Sequence, residues 1–147
     1  MNEIQRVCFL LKKHDVKFVI VGARACSFHG YVRATEDIDV LIQNDRKNIQ
    51  NVISCIEELY PHLEKVTVED FLENIVIKIY DEPELDILLS AWSLTYDDAM
   101  KDVCILELDK LEIPYLGLDS LIKSKQTERE QDKWDLKILM ELKKKKG

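Results

Sequence analysis

Glycine and proline are scarce in this chain: of 147 residues, four are glycine and three are proline. That excludes collagen-like repeats and Gly- or Pro-rich linkers. No internal repeat and no low-complexity segment breaks the sequence. The four cysteines, Cys8, Cys26, Cys55 and Cys104, form no C-x-x-C pair, and the three histidines share no ligand spacing with them. A structural zinc site therefore lacks support. Each cysteine sits among apolar residues, as reduced core thiols of a cytoplasmic protein do. No apolar run is long enough for a membrane span, and MNEIQRVCFLLKKHD is too short and too charged for a signal peptide, so no membrane partner is expected. An overall basic excess is missing too. The net charge is −7, which argues against wholesale nucleic-acid binding.

What is present suits one globular domain over residues 1–147. Hydrophobic residues make up 46% and charged residues 33%, enough apolar material for a single core. The charge is uneven. Residues 118–147 carry nine Lys and Arg against six Asp and Glu; residues 1–117 carry 12 against 22. An acidic body thus ends in a helical segment, 118–142, and a basic tail, 143–147, expected to be solvated and frayed.

Periodicity supplies the elements. Ile4, Val7, Leu10 and Leu11 recur at helical spacing over 3–14. KFVIV (17–21) fits a buried strand, and Gly22 turns the chain into a small-residue helix over 23–29 that Gly30 stops. A strand follows over 37–42, then a helix capped by Asn44-Asp45 and running to about 59. Residues 75–80 and 84–89 read as a hairpin around Asp81-Glu82-Pro83. A short helix is the reading for 92–102. Strands over 103–108 and 111–115 form a second pair, the latter expected at a sheet edge because of Pro114. Helices fill the end, one over 118–125 and another begun by the capping-box spacing of Thr127 and Glu130. The order predicts an α/β (α+β) domain with a small mixed sheet flanked by helices.

The chemistry concentrates in VGARACSFHGYVRATEDIDVLI, residues 21–42. In a strand, Asp37 and Asp39 point the same way, roughly 6.6 Å apart along the backbone. Two such carboxylates repel unless a cation sits nearby, and Mg²⁺ prefers hard oxygen ligands of this kind. A solvated strand end is the plainer alternative. Asp86, inside the apolar ELDILLS, is costly to bury unpaired and would join the pair if its strand lay beside theirs; an edge strand facing water is the alternative. Gly22 ahead of a small-residue helix lets backbone N–H groups approach an anion. Arg33 suits a phosphate, or else balances Glu36 or Asp37. Thr35 starts the strand or bonds to nearby backbone, and His29 sits at a helix end that favours it anyway.

These residues resemble the nucleotidyltransferase superfamily, whose fold is shared with polymerase beta. The nearest pattern is that of small bacterial and archaeal members, the minimal nucleotidyltransferases and toxin–antitoxin components. Their H-G-x-x-R-x-T-x-D-I-D run falls on His29, Gly30, Arg33, Thr35, Asp37 and Asp39, behind Gly22, with Asp86 as the third acid. Their C-terminal L-x-x-x-K-x-x-x-R-x-x-D-x-x-D falls on Leu121, Lys125, Arg129, Asp132 and Asp135. One position departs: Ala23 stands where the family has Gly or Ser.

The resemblance implies transfer of a nucleoside monophosphate, AMP from ATP or its counterpart from another nucleoside triphosphate, onto a hydroxyl, with pyrophosphate leaving. Asp37, Asp39 and Asp86 would be catalytic and would hold two Mg²⁺ ions. Gly22, Ala23, Arg33, Thr35 and Lys125 would bind the nucleotide. The acceptor would be a small molecule or a partner protein, including a cognate toxin or antitoxin; nucleic acid is not expected. Because of Ala23, a non-catalytic nucleotide-binding or antitoxin-type module is the alternative. At 100° per residue Arg129, Asp132, Leu136 and Leu139 share one helix face, so Arg129 and Asp132 either pair with each other or serve a cleft. Lys125 either meets the triphosphate or is solvated.

Overall fold

The computed structural model describes every residue except Arg33, Thr35, Glu36, Trp92 and Gly147. Arg33 and Thr35, expected to bind nucleotide, therefore lie outside the described residues.

The chain begins with helix α1 (Glu3–Lys13), capped by Asn2 and Gln5 bonding each other's backbone in a capping box. Strand β1 (Phe18–Val21) follows, then α2 (Gly22–Phe28), β2 (Ile38–Ile42) and α3 (Arg46–Leu59). Asp45 caps α3 by accepting from the Asn48 N–H. Next come α4 (Val68–Glu73), β3 (Val76–Ile79), β4 (Leu85–Leu88), α5 (Tyr96–Met100), β5 (Val103–Leu108) and β6 (Leu111–Leu116). Helices α6 (Leu118–Ser124) and α7 (Glu130–Lys146) close the chain.

Six strands form one mixed sheet in the order β3-β4-β2-β1-β6-β5. β2 pairs antiparallel with β1 and parallel with β4, and β3–β4 is an antiparallel hairpin. Strand alternation divides the apolar residues between two faces. On one face Phe18, Ile20, Ile38, Val40 and Ile87 meet the buried sides of α1 and α3 and Phe71 of α4. On the other, Val19, Val21 and Leu41 meet Ala25 and Cys26 of α2, Leu121 of α6 and Leu139 of α7. Helices thus cover both sides of a sheet whose central strands are buried. Burial pushes the thiols of Cys8 and Cys55 up to about 12. Among the described residues, no helix is long and apolar enough to cross a membrane.

Four expectations need correction. The strand holding the acidic pair begins at Ile38, so Asp37 precedes it. β6, with Pro114, is interior between β1 and β5. Its ladder to β1 is a single pair, Ile20 with Tyr115, so a missing N–H disturbs little. Thr127 does not cap Glu130; its hydroxyl accepts from the Arg129 N–H (3.1 Å) and donates to Asp132 Oδ2 (2.6 Å). The basic tail is not frayed, because α7 continues through Lys146. Lysines suit a helix C-terminus, where the dipole is negative. Lys143 also pairs with Asp119 at 2.9 Å, and Lys146 Nζ lies 3.4 Å from His29 Nδ1.

Candidate active site

Sheet register assembles the site. In the β2–β4 pair Asp39 stands directly opposite Asp86, and in the β3–β4 hairpin Lys78 stands opposite Asp86. Across β1, Val21 faces Asp39. Lys78, Asp86, Asp39 and Val21 thus form one row across four strands, on the face covered by α2, α6 and α7. Gly22 ends the row. Its φ is +66°, and a Cβ there would lie 2.1 Å from Asp39 Oδ2. Only glycine lets the Asp39 carboxylate sit where it does.

Above this row lies a cleft of about 750 Å³, lined among others by Gly22, Asp39, Lys78, Asp86, Lys125 and Asp132. An equally large depression lies at the opposite end of the sheet, near Lys17, Asp45 and Thr95. Its Asp45 and Thr95 are already engaged in capping α3 and α5. The acidic row is therefore the site with unspent chemistry.

Asp39 is held far from its usual ionisation. Burial, then the charge and hydrogen bond of Asp86, then the charge of Asp37, raise its carboxyl to about 7; Lys125 opposes them. Asp86 has its own cation, Lys78 Nζ, 3.1 Å from Oδ2. Asp37 is half-buried beside the Arg24 guanidinium, whose Nε donates to the Asp37 carbonyl at 3.4 Å. The structure thus brings Asp39 and Asp86 into contact and leaves Asp37 as a charged neighbour. Among the described residues, no three His, Cys, Asp or Glu side chains converge as a metal cluster.

Lys125 reaches the cleft from the end of α6, and it is not solvated. Its Nζ lies 2.9 Å from Asp135 Oδ2 and 3.3 Å from Asp132 Oδ1, with only 12% of the side chain exposed. Asp135, fully buried, also accepts from Tyr31 (2.8 Å) and Gln131 (2.8 Å). Burial pushes Asp135 up, but the hydrogen bonds from Lys125, Gln131 and Tyr31 outweigh it and leave the carboxyl below its usual range. Asp132 and Asp135 are thus the fixed partners of Lys125. Arg129 does not share their buried face: its side chain is 78% exposed and meets Asp132 only at 3.9 Å. His29 turns away to the core, where Nε2 donates to the Leu116 carbonyl at 2.8 Å. Ala23 is buried in the α2 core and is not part of the cleft lining.

Lys78 escaped the sequence reading. The hairpin expected around Asp81-Glu82-Pro83 carried the signal, because its register places residue 78 beside residue 86.

No protein-family model matches the sequence, and no curated protein matches it. Solved structures do. An antigenic nucleotidyltransferase-like protein from Paracoccidioides brasiliensis superposes with a TM-score of 0.60 at 15% identity, over 95% of this chain and 72% of that one. The chain has a nucleotidyltransferase-like fold. A proposed nucleotidyltransferase from Thermotoga maritima superposes with a TM-score of 0.53 at 16% identity, over 82% of this chain and 79% of that one. In the nucleotidyltransferase-like fold seen here, the acidic row lies on the helix-covered face of the central strands, open to the cleft.

Proposed function

We propose that this chain is a nucleotidyltransferase that moves a nucleoside monophosphate, AMP from ATP foremost, onto a hydroxyl of a small molecule or partner protein. The observation that carries the proposal is the register match of Asp39 with Asp86 at the floor of a cleft that also holds Gly22 and Lys125. The donor set fits Mg²⁺, which takes one or two carboxylates and completes its shell with water and substrate phosphates. Two hard-oxygen carboxylates forced together, one of them pushed up to about 7, are a place where a divalent cation relieves repulsion. Asp39 and Asp86 would hold the ions, with Asp37 added to them by the resemblance alone, since the described side chains do not converge as three. Bound there, Mg²⁺ supplies charge neutralisation for the triphosphate and for the leaving pyrophosphate.

The chain's own residues do the rest. Gly22 lines the cleft where the phosphates would lie, and its bare α-carbon makes room there for the Asp39 carboxylate. Lys125, held in place by Asp132 and Asp135, presents its ammonium to the cleft. Arg33, Thr35 and the Ala23 backbone belong to the proposed nucleotide contacts by resemblance. Asp86 accepts the proton of the acceptor hydroxyl as its oxygen bonds to the α-phosphorus. The bond from that phosphorus to the pyrophosphate oxygen breaks. Positioning and fixed charge account for most of the rate.

A second reading is a non-catalytic nucleotide-binding or antitoxin-type module of a toxin–antitoxin pair. It is favoured by the engagement of Lys125 with two carboxylates, which leaves less charge for a triphosphate. One experiment separates the two. The protein is incubated with Mg²⁺, α-labelled ATP and a lysate as acceptor source, beside a D39N/D86N variant. Label transfer by the first protein alone supports the enzyme. Binding of ATP without transfer supports the module, and transfer by both proteins overturns the carboxylate site.

A further inference from the structure

The Asp39–Asp86 pair already has a cation of its own. Lys78 lies on β3, one of the two edge strands of the sheet, directly opposite Asp86. Its Nζ is 3.1 Å from Asp86 Oδ2, while its side chain remains 53% exposed and lines the cleft. The ammonium also feels the Asp39 charge, after that of Asp86. The Lys125 charge also reaches Asp39, but Lys125 is fixed by two buried carboxylates. The two lysines differ in what holds them. Lys125 sits in a buried cage; among the described residues Lys78 pairs with Asp86 alone, on an exposed stem of four methylenes. An exposed ion pair of this kind contributes little and exchanges readily.

We propose that Lys78 is a displaceable internal counter-ion of the acidic pair: a divalent cation occupies Asp86 only as the ammonium swings off it, so Lys78 sets the affinity of the site for metal. The inference rests on the metal reading given under the proposed function. Asp86 Oδ2 cannot direct the same lone pair at an ammonium 3.1 Å away and at a metal ion, so a cation that takes both carboxylate oxygens must displace Lys78. Lys78 therefore weakens metal binding twice, by occupying the ligand and by repelling the incoming charge. The swing costs the fold little, because the side chain already stands at the sheet's outer edge.

The test is direct binding of Mn²⁺, followed by the loss of free-ion EPR signal at pH 8, for the wild-type protein, Lys78→Met and Lys78→Arg. Methionine keeps the stem and removes the charge; arginine keeps the charge. Thermal melts confirm that the three proteins are folded. The expected result is that Lys78→Met binds Mn²⁺ roughly five- to tenfold tighter than wild type, while Lys78→Arg stays within about twofold of it. Equal or weaker binding by Lys78→Met overturns the counter-ion role and leaves the metal reading standing. Absence of Mn²⁺ binding in all three proteins overturns both.

Discussion

The carboxylate of Asp39 rests against the bare α-carbon of Gly22, at a distance where a methyl group would overlap it: a Cβ on residue 22 would lie 2.1 Å from Asp39 Oδ2. Gly22→Ala therefore has two costs, a left-handed φ of +66° and the expulsion of Asp39 from its place. Together they should destabilise the protein by about 2–4 kcal/mol in urea unfolding. Gly30 is the control. It also has a positive φ, +104°, but nothing lies within 4 Å of its Cβ position. Gly30→Ala should cost only about 1 kcal/mol. Adding Asp39→Ala to Gly22→Ala should restore part of the loss; strict additivity of the two changes would refute the contact.

Asp39 also predicts a pH dependence. Its carboxyl titrates at about 7 in the folded protein, raised first by burial and then by Asp86. A carboxyl of raised folded pKa favours folding while protonated, and that stability is lost as pH rises through the folded value. In metal-free buffer the wild-type protein should lose stability relative to Asp39→Asn between about pH 4 and pH 7. The loss should be on the order of 2 kcal/mol. Melting curves of both proteins across that range check it. Parallel curves would show that Asp39 ionises normally.

Much of this site could be read in the sequence because its geometry is a matter of strand period. An aspartate inside ELDILL needed a neighbour, and parallel pairing of β2 with β4 supplied Asp39; the D-x-D spacing also put Asp37 on that face, but β2 begins only at Ile38. Helix-spaced apolar residues likewise marked α1 and α3, and both formed. What stayed hidden depended on how separate elements meet. Lys125 lies seven and ten residues before its two partners, across a turn whose path local pattern does not specify. Helical phase alone assigned Arg129 to the inner face, but Arg129 precedes α7, and its side chain escapes to solvent. Pro114 suggested an edge, and only the sheet order shows β5 outside it.

The Lys125 cage should be a principal source of stability at this end of the molecule. Lys125→Met strips the cation from Asp135, which has no exposed side-chain surface, and from Asp132. Breaking a buried pair from one side leaves an uncompensated charge and costs about 3–5 kcal/mol. The lowered folded pKa of Asp135 gives a further sign. Its contribution is present above the ordinary carboxylate range and is lost as pH falls through the folded value. Lys125→Met should therefore destabilise strongly at pH 7, and the gap to wild type should narrow in acid below about pH 4. Urea titrations at the two pH values measure both. A gap that is constant with pH would exclude the ion pair as its cause.

Ala23 is the position where the sequence departs from the nucleotidyltransferase pattern, and its burial bears on whether that departure matters. Ala23 as a whole residue is 7% exposed within α2 and is not part of the cleft lining, whereas Gly22 is. A buried residue outside the cleft lining does not block an approaching phosphate. Ala23→Gly should then leave ATP affinity, measured by calorimetry with Mg²⁺, within about twofold of wild type, the change expected when a substitution touches no ligand. It should lower stability by about 1 kcal/mol, since glycine in a helix costs more backbone entropy than alanine and leaves a small void. A tenfold gain in ATP affinity with unchanged stability would reverse the conclusion. It would mean that the methyl group faces the nucleotide and that the departure from Gly or Ser restrains this site.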